Sequence, residues 1–306
     1  MAAPTKIWQR RVLELFETGL PQRVFTRQQL SGVRTTYEER LEMPRSLTTP
    51  KFVHFLEQAG QLQEEQISQD GLNPSDDAHA YRPYTRYVWG DASPLEVALS
   101  LRARSYLSHA SAVFLHGLTM QLPKTVYVNQ EQSPKPPPSG GLTQQSIDRA
   151  FHNAPRFTNY VFTYRGTRLV LLNGKNSGDL EVSDMVDAKG HALRTTKLER
   201  TLIDITVRPA YAGGIFDVSE AFRSAAERVS VPTLVATLAK LDFVYPYHQA
   251  LGFYLERAGI PRARLKRLAA LGIEHNFYLG NQMPNPQYDA EWRIYYPEGL
   301  WDGVRA

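Results

Sequence analysis

The stretch 106–128, YLSHASAVFLHGLTMQLPKTVYV, decides the fold because it predicts a buried helix followed by a strand. Ser108 is a favourable helix N-cap, and residues 110–115 are almost all apolar, which is typical of a buried helix. Gly117 stands where a left-handed C-terminal cap is expected. The alternation over residues 126–129 then predicts a strand. A buried helix that leads into a strand indicates the core of a folded domain.

The residues before this core predict a separate module. Its expected elements are a helix at 6–18, a short helix after Thr26, a longer helix at 49–59, strands at 62–67 and 84–89, and a polar loop at 70–82 between the strands. Pro50 suits the first turn of the longer helix and Gly60 ends it. We expect the charged stretch 31–45 to be irregular. This is the element order of a winged helix-turn-helix, with the longer helix as recognition helix and the polar loop as wing.

A recognition helix presents its N-terminal side chains to base edges, while nearby cations hold phosphates. Residues 1–60 hold nine Lys and Arg against six Asp and Glu, which is a modest excess. Of these Lys and Arg residues, only Lys51 lies on the predicted recognition helix. A winged helix that binds a protein instead of DNA therefore remains an alternative. The candidate DNA-binding residues are Arg27, Arg34, Arg45, Thr48, Thr49, Lys51, His54, Arg82 and Arg86.

The length of 306 residues fits two domains, which we place at 1–90 and 91–306. The second domain is expected to hold a sheet region at about 120–190 and a helical region at about 193–272, so the predicted fold class is α+β. Residues 193–207 predict a helix whose Thr195 or Thr196 forms a capping box with Glu199. Arg200 and Asp204 are four residues apart and are expected to pair on that helix.

Several classes of chemistry are excluded or disfavoured. The chain has no cysteine, which excludes disulfides, thiolate catalysis and cysteine-bound zinc. Asp179, Glu181, Asp184 and Asp187 cluster with Lys189, and a Mg²⁺-dependent nuclease requires such acids beside a lysine. Acids near turns are usually solvated, so a nuclease is the weaker alternative. We expect no enzyme activity, no metal and no cofactor.

The run RARLKRLAAL at 262–271 carries the densest positive charge in the chain. A solvated helix face and a second binding surface are about equally well supported. The four cations of this second basic surface are Arg262, Arg264, Lys266 and Arg267. No apolar run reaches 18 residues and the N-terminus is polar, so neither a transmembrane helix nor a signal peptide is predicted. We therefore expect a cytoplasmic protein.

Three segments resemble AbiEi-type antitoxins of type IV toxin–antitoxin systems. The first carries Ser108, His109, Ser111, Ala112, His116, Gly117, Leu118 and Pro123; the second is LERTLID at 198–204; the third is ALGFYLERAG at 250–259. They occur in the same order as in that family, and all three lie in the core, which we place at about residues 91–280.

The resemblance implies a bacterial phage-defence protein with two activities. Its winged helix would bind inverted repeats in its own promoter and repress the operon. Its core would oppose a toxin of the nucleotidyltransferase class, often without a stable complex. Neither catalysis nor a cofactor is implied for the antitoxin. A purely protein-binding adaptor is the main alternative, and the nuclease is the weaker one.

Overall fold

The computed structural model describes residues 6–70, 84–121, 123–136, 140–187 and 190–300. In these residues the chain is a mixed α+β protein, as expected. It divides into two compact units. Unit 1 comprises Met1–Ser105, Asn159–Leu171 and Asp184–Leu193, and unit 2 comprises Tyr106–Thr158, Leu172–Ser183 and Arg194–Ala306. Unit 1 thus continues past residue 90 and takes in two later segments of the chain.

The elements follow one another along the chain in two groups. The first group is α1 (Ile7–Glu14), a π-helical turn (Leu15–Gly19), β1 (Val24–Phe25), α2 (Arg27–Tyr37), α3 (Thr49–Gln58), β2 (Leu62–Gln69), β3 (Tyr84–Trp89), α4 (Pro94–Leu99), β4 (Tyr106–Leu107), α5 (His109–Leu115), β5 (Thr125–Glu131) and α6 (Gln144–His152). The second is β6 (Val161–Tyr164), β7 (Thr167–Gly174), β8 (Val182–Val186), β9 (Ala192–Thr196), α7 (Leu198–Val207), a 3-10 turn (Pro209–Ala212), α8 (Ile215–Ala225), α9 (Val231–Leu241), α10 (Tyr247–Arg257), α11 (Arg262–Ala269), β10 (Phe277–Tyr278), β11 (Gln287–Asp289) and β12 (Ile294–Tyr296). Among these residues no helix is both long and apolar enough to cross a bilayer.

Unit 1 is built on antiparallel strand pairs. β1 pairs with β3 through Val24 and Val88, and β3 pairs with β2 from Trp89 opposite Leu62 to Tyr84 opposite Ile67. β2 also pairs antiparallel with β6, which forms a hairpin with β7. The connection from β2 to β3, residues 71–83, lies outside the described ranges. Within this sheet α2 and α3 come between β1 and β2 in sequence.

Phe16 is at the centre of the core of unit 1. Its ring lies 4.9 Å from the ring of Trp89 on β3, 5.4 Å from Phe25 on β1 and 6.2 Å from Phe52 on α3. All four side chains are at least 96% buried. Aromatic contacts of this kind add to the free energy of burial, so Phe16 fixes α3 to the strands.

The expectation of an irregular stretch at 31–45 is wrong in its first half, because α2 continues to Tyr37. Thr26 caps the helix as predicted, by accepting from the N–H of Gln29 at 3.2 Å. The helix then continues because Arg34 pairs with Glu38 one turn later, at 3.1 Å, and because the charged residues occupy its solvent side.

Unit 2 is organised around α7, in which every residue from Arg200 to Thr206 is buried. In this unit β4 pairs antiparallel with β5, through Tyr106 and Asn129, and parallel with β9, through Leu107 and Thr195. The helices α5, α8, α9 and α10 all pack against α7. A helix buried on all sides is expected to be apolar, so the charges that α7 does carry need internal partners.

The predicted start of α7 is corrected by the structure. Thr195 and Thr196 belong to β9, where β-branched residues are favoured, and the helix begins only after Lys197. Glu199 therefore has no capping box to complete. Its carboxylate accepts instead from the N–H of Ser230 at 2.9 Å, and so joins α7 to the start of α9.

The chain after α11 is tied to α10. Gln249 is fully buried, and its side-chain amide donates to the carbonyls of His275 at 2.9 Å and Trp292 at 2.6 Å. The Trp292 ring, 1% exposed, covers Gly252 in α10. A Cβ added at Gly252 would lie 2.2 Å from that ring, so only glycine allows the close approach.

We expect Gly252→Ala to destabilise unit 2 by about 1–3 kcal/mol, because the ring of Trp292 must shift to make room. The measurement is urea denaturation followed by tryptophan fluorescence and circular dichroism. The matched control is Gly32→Ala in α2, where a Cβ meets no atom within 4 Å. There the higher helix propensity of alanine should stabilise unit 1 by about 0.5–1 kcal/mol. Equal effects of the two substitutions would contradict the packing described.

Candidate functional site

The amphipathic pattern of α3 places a polar stripe on the surface of unit 1. Phe52 and Leu56 are fully buried, so the opposite side of the helix faces solvent. Thr48, Lys51 and His54 are spaced by three residues and are all exposed. Residues three apart share one helix face, and these side chains therefore form a continuous stripe that starts at the helix N-terminus.

Two further predicted cations of unit 1 are also exposed. Arg45 precedes α3 and Arg27 starts α2, and both are exposed. Thr49 is half-buried, and its hydroxyl shares a hydrogen bond of 3.0 Å with that of Ser31. Thr49 therefore joins α2 to α3 and is less available to a ligand than its neighbours. We define the α3 face as Arg27, Arg45, Thr48, Lys51 and His54.

Two other predicted cations make internal contacts. Arg34 is half-buried and donates through Nη1 to the carboxylate of Glu38 and the carbonyl of Leu47, each at 3.1 Å. Arg86 on β3 is 6% exposed, and its Nη2 donates to the carbonyl of Ser100 at 2.8 Å. Burial lowers the pKa of Arg86 from its ordinary value. These two guanidinium groups hold unit 1 together, so we leave them out of the α3 face; Arg82 lies outside the described residues.

The second basic surface is on α11, which buries Leu265 and Leu268 and exposes its four cations. Arg262 pairs with Glu291. The other three, Arg264, Lys266 and Arg267, form no ion pair in the part of the chain that the structure describes. The helix therefore presents positive charge to solvent in unit 2, as the spacing predicted.

Two acids of the alternative nuclease site form ion pairs with different basic residues. Asp179 pairs with Arg194 at 2.8 Å, and Glu181 pairs with Lys197 at 3.0 Å. Within the described ranges no group of three or more His, Asp or Glu side chains is arranged to hold a metal ion. Lys189, the lysine of that hypothesis, is outside those ranges.

Unit 2 also contains a cleft that the sequence analysis did not identify. Its lining includes the ion pair expected on α7, with Arg200 Nε 2.8 Å from Asp204 Oδ1. Both side chains are at least 90% buried. Arg200 Nη1 also donates to the Ser177 hydroxyl at 3.1 Å and to the Leu180 carbonyl at 3.0 Å. Burial raises the pKa of Asp204, and Arg200 acts in the opposite direction.

Glu131, at the end of β5, fixes the segment that Arg200 contacts. Its carboxylate accepts from the N–H groups of Ser177 at 2.8 Å, Gly178 at 2.9 Å and Asp179 at 3.3 Å, and from the Ser177 hydroxyl. Burial acts to raise the pKa of Glu131, but these hydrogen bonds outweigh it and lower the pKa below its ordinary value. The charged carboxylate thus holds the turn after β7 in place.

His109 lines the same cleft and has a strained backbone. Its φ is +50°, in the left-handed region that few residues other than glycine adopt. Ser108 occupies the predicted N-cap, but its hydroxyl contacts His109 Nδ1 at 2.9 Å and caps no backbone N–H. Burial lowers the pKa of His109 to about 3, and the charges of Arg208 and Arg200 act in the same direction. The imidazole is therefore neutral near pH 7.

Lys175 and Arg208 complete the charged lining of the cleft. Both come from connections, one after β7 and one after α7, so no helical or strand periodicity marks them. In the sequence, Arg208-Pro209 indicates only the end of a helix, and the Gly-bearing stretch 173–178 indicates only a turn. Arg208 comes close to His109 through the packing of α5 against α7, and Lys175 reaches the same hollow from the turn after β7.

We expect Glu131→Gln to destabilise unit 2 by about 1–3 kcal/mol at pH 7, because charge-assisted hydrogen bonds to the turn are lost. The folded-state pKa of Glu131 is depressed, so its stabilising effect is present above the unfolded value of 4.5 and lost as pH falls through the folded value. The stability difference between wild type and variant should therefore shrink below about pH 4.5. Chemical denaturation between pH 7 and pH 3 measures it.

The control for this experiment is Glu220→Gln on α8. Glu220 is exposed, and its one ion pair among the residues that the structure describes is with Arg223, at 3.2 Å. Exposed pairs contribute little to stability, so this substitution should be nearly neutral at every pH. A Glu131→Gln effect as small as that of Glu220→Gln, or one that grows on acidification, would contradict the assigned role.

Comparison with known proteins gives the fold alone. No protein-family model matches the chain, and no curated protein matches it. Among solved structures, the chain is similar to the crystal structure of the RV2827C protein from Mycobacterium tuberculosis, with a TM-score of 0.52 and 16% sequence identity. The similarity covers 96% of this chain and 93% of that chain. At such low identity it shows a shared fold over nearly the whole of both chains.

Proposed function

We propose that unit 1 contains a winged helix-turn-helix that binds DNA, and that the protein is a transcriptional autorepressor and antitoxin. The observation that carries the proposal is the strand register of unit 1. β1 lies beside β3 and β3 beside β2, with α2 and α3 between β1 and β2 in sequence. The wing would be the connection between β2 and β3, which includes Arg82. This is the order of elements in which α3 serves as recognition helix.

The α3 face supports the same proposal through its exposure and charge. Lys51 and His54 share the exposed stripe with Thr48; Arg45 shortly precedes α3 in the sequence, and Arg27 is exposed at the start of α2. A recognition helix uses such N-terminal side chains to read base edges, and cations around it hold phosphates. Because α3 is fixed to the core through Phe52, its exposed face would be presented as a rigid surface.

The antitoxin half of the proposal rests on the three core segments that resemble AbiEi-type antitoxins. All three form helices or helix ends of unit 2: α5, α7 and α10. These are the helices that pack together in its core, which explains why their sequences share apolar and small residues. The DNA sites would be inverted repeats in the protein's own promoter, and the toxin a nucleotidyltransferase.

We expect Lys51→Ala to weaken binding to the DNA upstream of the protein's own gene. If Lys51 holds a phosphate, affinity should fall for all sequences and the slope of log affinity against log salt should drop by about one. If it reads a base, specificity at one base pair should fall by about 1–3 kcal/mol. Gel-shift titrations over a salt series, with a scrambled duplex of equal length, separate the two cases.

Gln58→Ala is the matched control, since Gln58 is exposed at the other end of α3. It should bind DNA like the wild type. Equal binding by Lys51→Ala and wild type would remove α3 from the DNA interface. Absence of specific binding by the wild type would favour the adaptor alternative, in which the same face docks onto a protein.

The antitoxin activity predicts a separate result. Co-expression of the protein should restore the growth of cells that produce its cognate nucleotidyltransferase-class toxin. Lys51→Ala should restore growth as well as the wild type does, because the α3 face belongs to unit 1 and neutralisation is assigned to the core. The same variant should derepress a promoter–reporter fusion. Failure of the wild-type protein to restore growth would refute the antitoxin assignment and leave the repressor assignment standing.

A further inference from the structure

Two adjoining hollows in unit 2 form one elongated cleft. The first has a volume of about 840 Å³ and the second about 650 Å³. Val207, Arg208, Tyr245 and Tyr247 line both of them, so the hollows meet at the end of α7. Each has the size of a small-molecule site. The two halves differ sharply in chemistry.

The first hollow is rich in positive charge. Among the described residues, four cations line it, Lys135, Lys175, Arg200 and Arg208, against the two carboxylates of Asp204 and Asp242. Asp204 is already paired with Arg200. Lys175 and Arg208 are both exposed; the Lys175 ammonium contacts the backbone carbonyl of Asp242, and the Arg208 guanidinium lies 6.0 Å from the centre of the Tyr211 ring. The hollow therefore favours an anionic group.

Two buried groups in the first hollow are available to a ligand. Arg200 donates from Nε to Asp204 and from Nη1 to Ser177 and Leu180, and its Nη2 forms no hydrogen bond with the described residues. His109 is only 7% exposed, and its Nδ1 contacts Ser108 while its Nε2 has no described partner. The strained backbone of His109 is of the kind found at binding sites. A guanidinium donor and a neutral imidazole thus line the wall of the hollow.

The second hollow is lined by aromatic rings. Phe151, Phe157, Tyr211 and Tyr245 all contribute. The Phe157 side chain is 62% exposed although it packs edge-on against Tyr211, with ring centroids 5.7 Å apart. A large exposed aromatic at the rim of a hollow offers a stacking surface for a flat ring, and such stacking strengthens binding whichever base is present.

We propose that this cleft binds a free nucleotide, with its phosphates at Arg208 and Lys175 and its base against the aromatic rings of the second hollow. Guanidinium groups recognise phosphate through paired, charge-assisted hydrogen bonds, and Arg208 lies where the two hollows meet. The site is made of unit 2 residues alone, so it is distinct from the α3 face and adds a ligand to the proposed function.

The test is isothermal titration calorimetry on the full chain with ATP, GTP, CTP, UTP and the corresponding monophosphates. Inorganic phosphate, adenosine and a 5′-phosphorylated single-stranded oligonucleotide are titrated beside them. We expect at least one nucleotide to bind with one site per chain, more tightly than either phosphate or nucleoside alone, because only the nucleotide occupies both hollows.

Arg208→Gln and Phe157→Ser test the two halves separately. Both side chains are exposed, so neither substitution should unfold the protein, which circular dichroism checks. Arg208→Gln should weaken nucleotide and phosphate binding about tenfold or more, since a charge-assisted hydrogen bond is lost. Phe157→Ser should weaken nucleotide binding and leave phosphate binding unchanged. Lys240→Gln, at an exposed site of α9 outside the cleft lining, should bind nucleotide like the wild type.

Three results would overturn the proposal. Absence of binding by every nucleotide at millimolar concentration would refute it directly. Binding that survives both Arg208→Gln and Phe157→Ser would place the nucleotide elsewhere, for example on the second basic surface. Binding of the oligonucleotide but of no free nucleotide would identify the ligand as the end of a nucleic-acid strand. Binding of phosphate as tightly as nucleotide would identify the site as one for a simple anion.

Discussion

The buried ion pair between Arg200 and Asp204 is the constraint on which unit 2 depends. Removing two charges from water costs several kcal/mol per ion, and the cost is offset only if the geometry and the remaining hydrogen bonds are good. Here Arg200 contacts Asp204, Ser177 and Leu180 at 2.8–3.1 Å, and Glu131 holds Ser177 from the other side. One charge network therefore ties α7 to β5 and to the turn after β7. It also leaves polar groups at the wall of a cleft.

The arginines of the chain show how burial separates structural cations from available ones. Arg34 and Arg86 donate to carbonyl oxygens of their own unit, and Arg86 is nearly buried. Withdrawing such a group would leave those acceptors unpaired and would cost about 1–3 kcal/mol for each. Arg45 and Arg27 form no such hydrogen bond within the described part of the chain, and both are exposed. A count of charges in the sequence includes both the internally bonded arginines and the exposed ones, whereas a ligand can contact only the exposed ones.

Local sequence patterns predicted most of the helices and strands correctly. The predicted helix at 49–59 appears at Thr49–Gln58, and the predicted strand at 84–89 appears at Tyr84–Trp89. The signals for the helix are all local: Pro50 in its first turn, the i, i+4 spacing of the buried Phe52 and Leu56, and the positive φ of Gly60 after its end. The errors occur where tertiary contacts compete with local ones. Thr195 and Thr196 could have capped a helix, but pairing with β4 places them in β9, and Glu199 turns to Ser230 instead.

The sequence alone determined the mixed α+β class, the amphipathic face of α3, the exposed cations of α11 and the pairing of Arg200 with Asp204, because each depends on spacing within one element. Only the tertiary structure decided which cations are free, where unit 1 ends and what surrounds α7. The cleft belongs to this second group. His109, Lys175 and Arg208 are up to 99 residues apart in the sequence, and they line one hollow because α5, the turn after β7 and the end of α7 come together in unit 2. Contacts between distant segments leave no periodic signal in the chain, and so no sequence pattern could have brought those three side chains together.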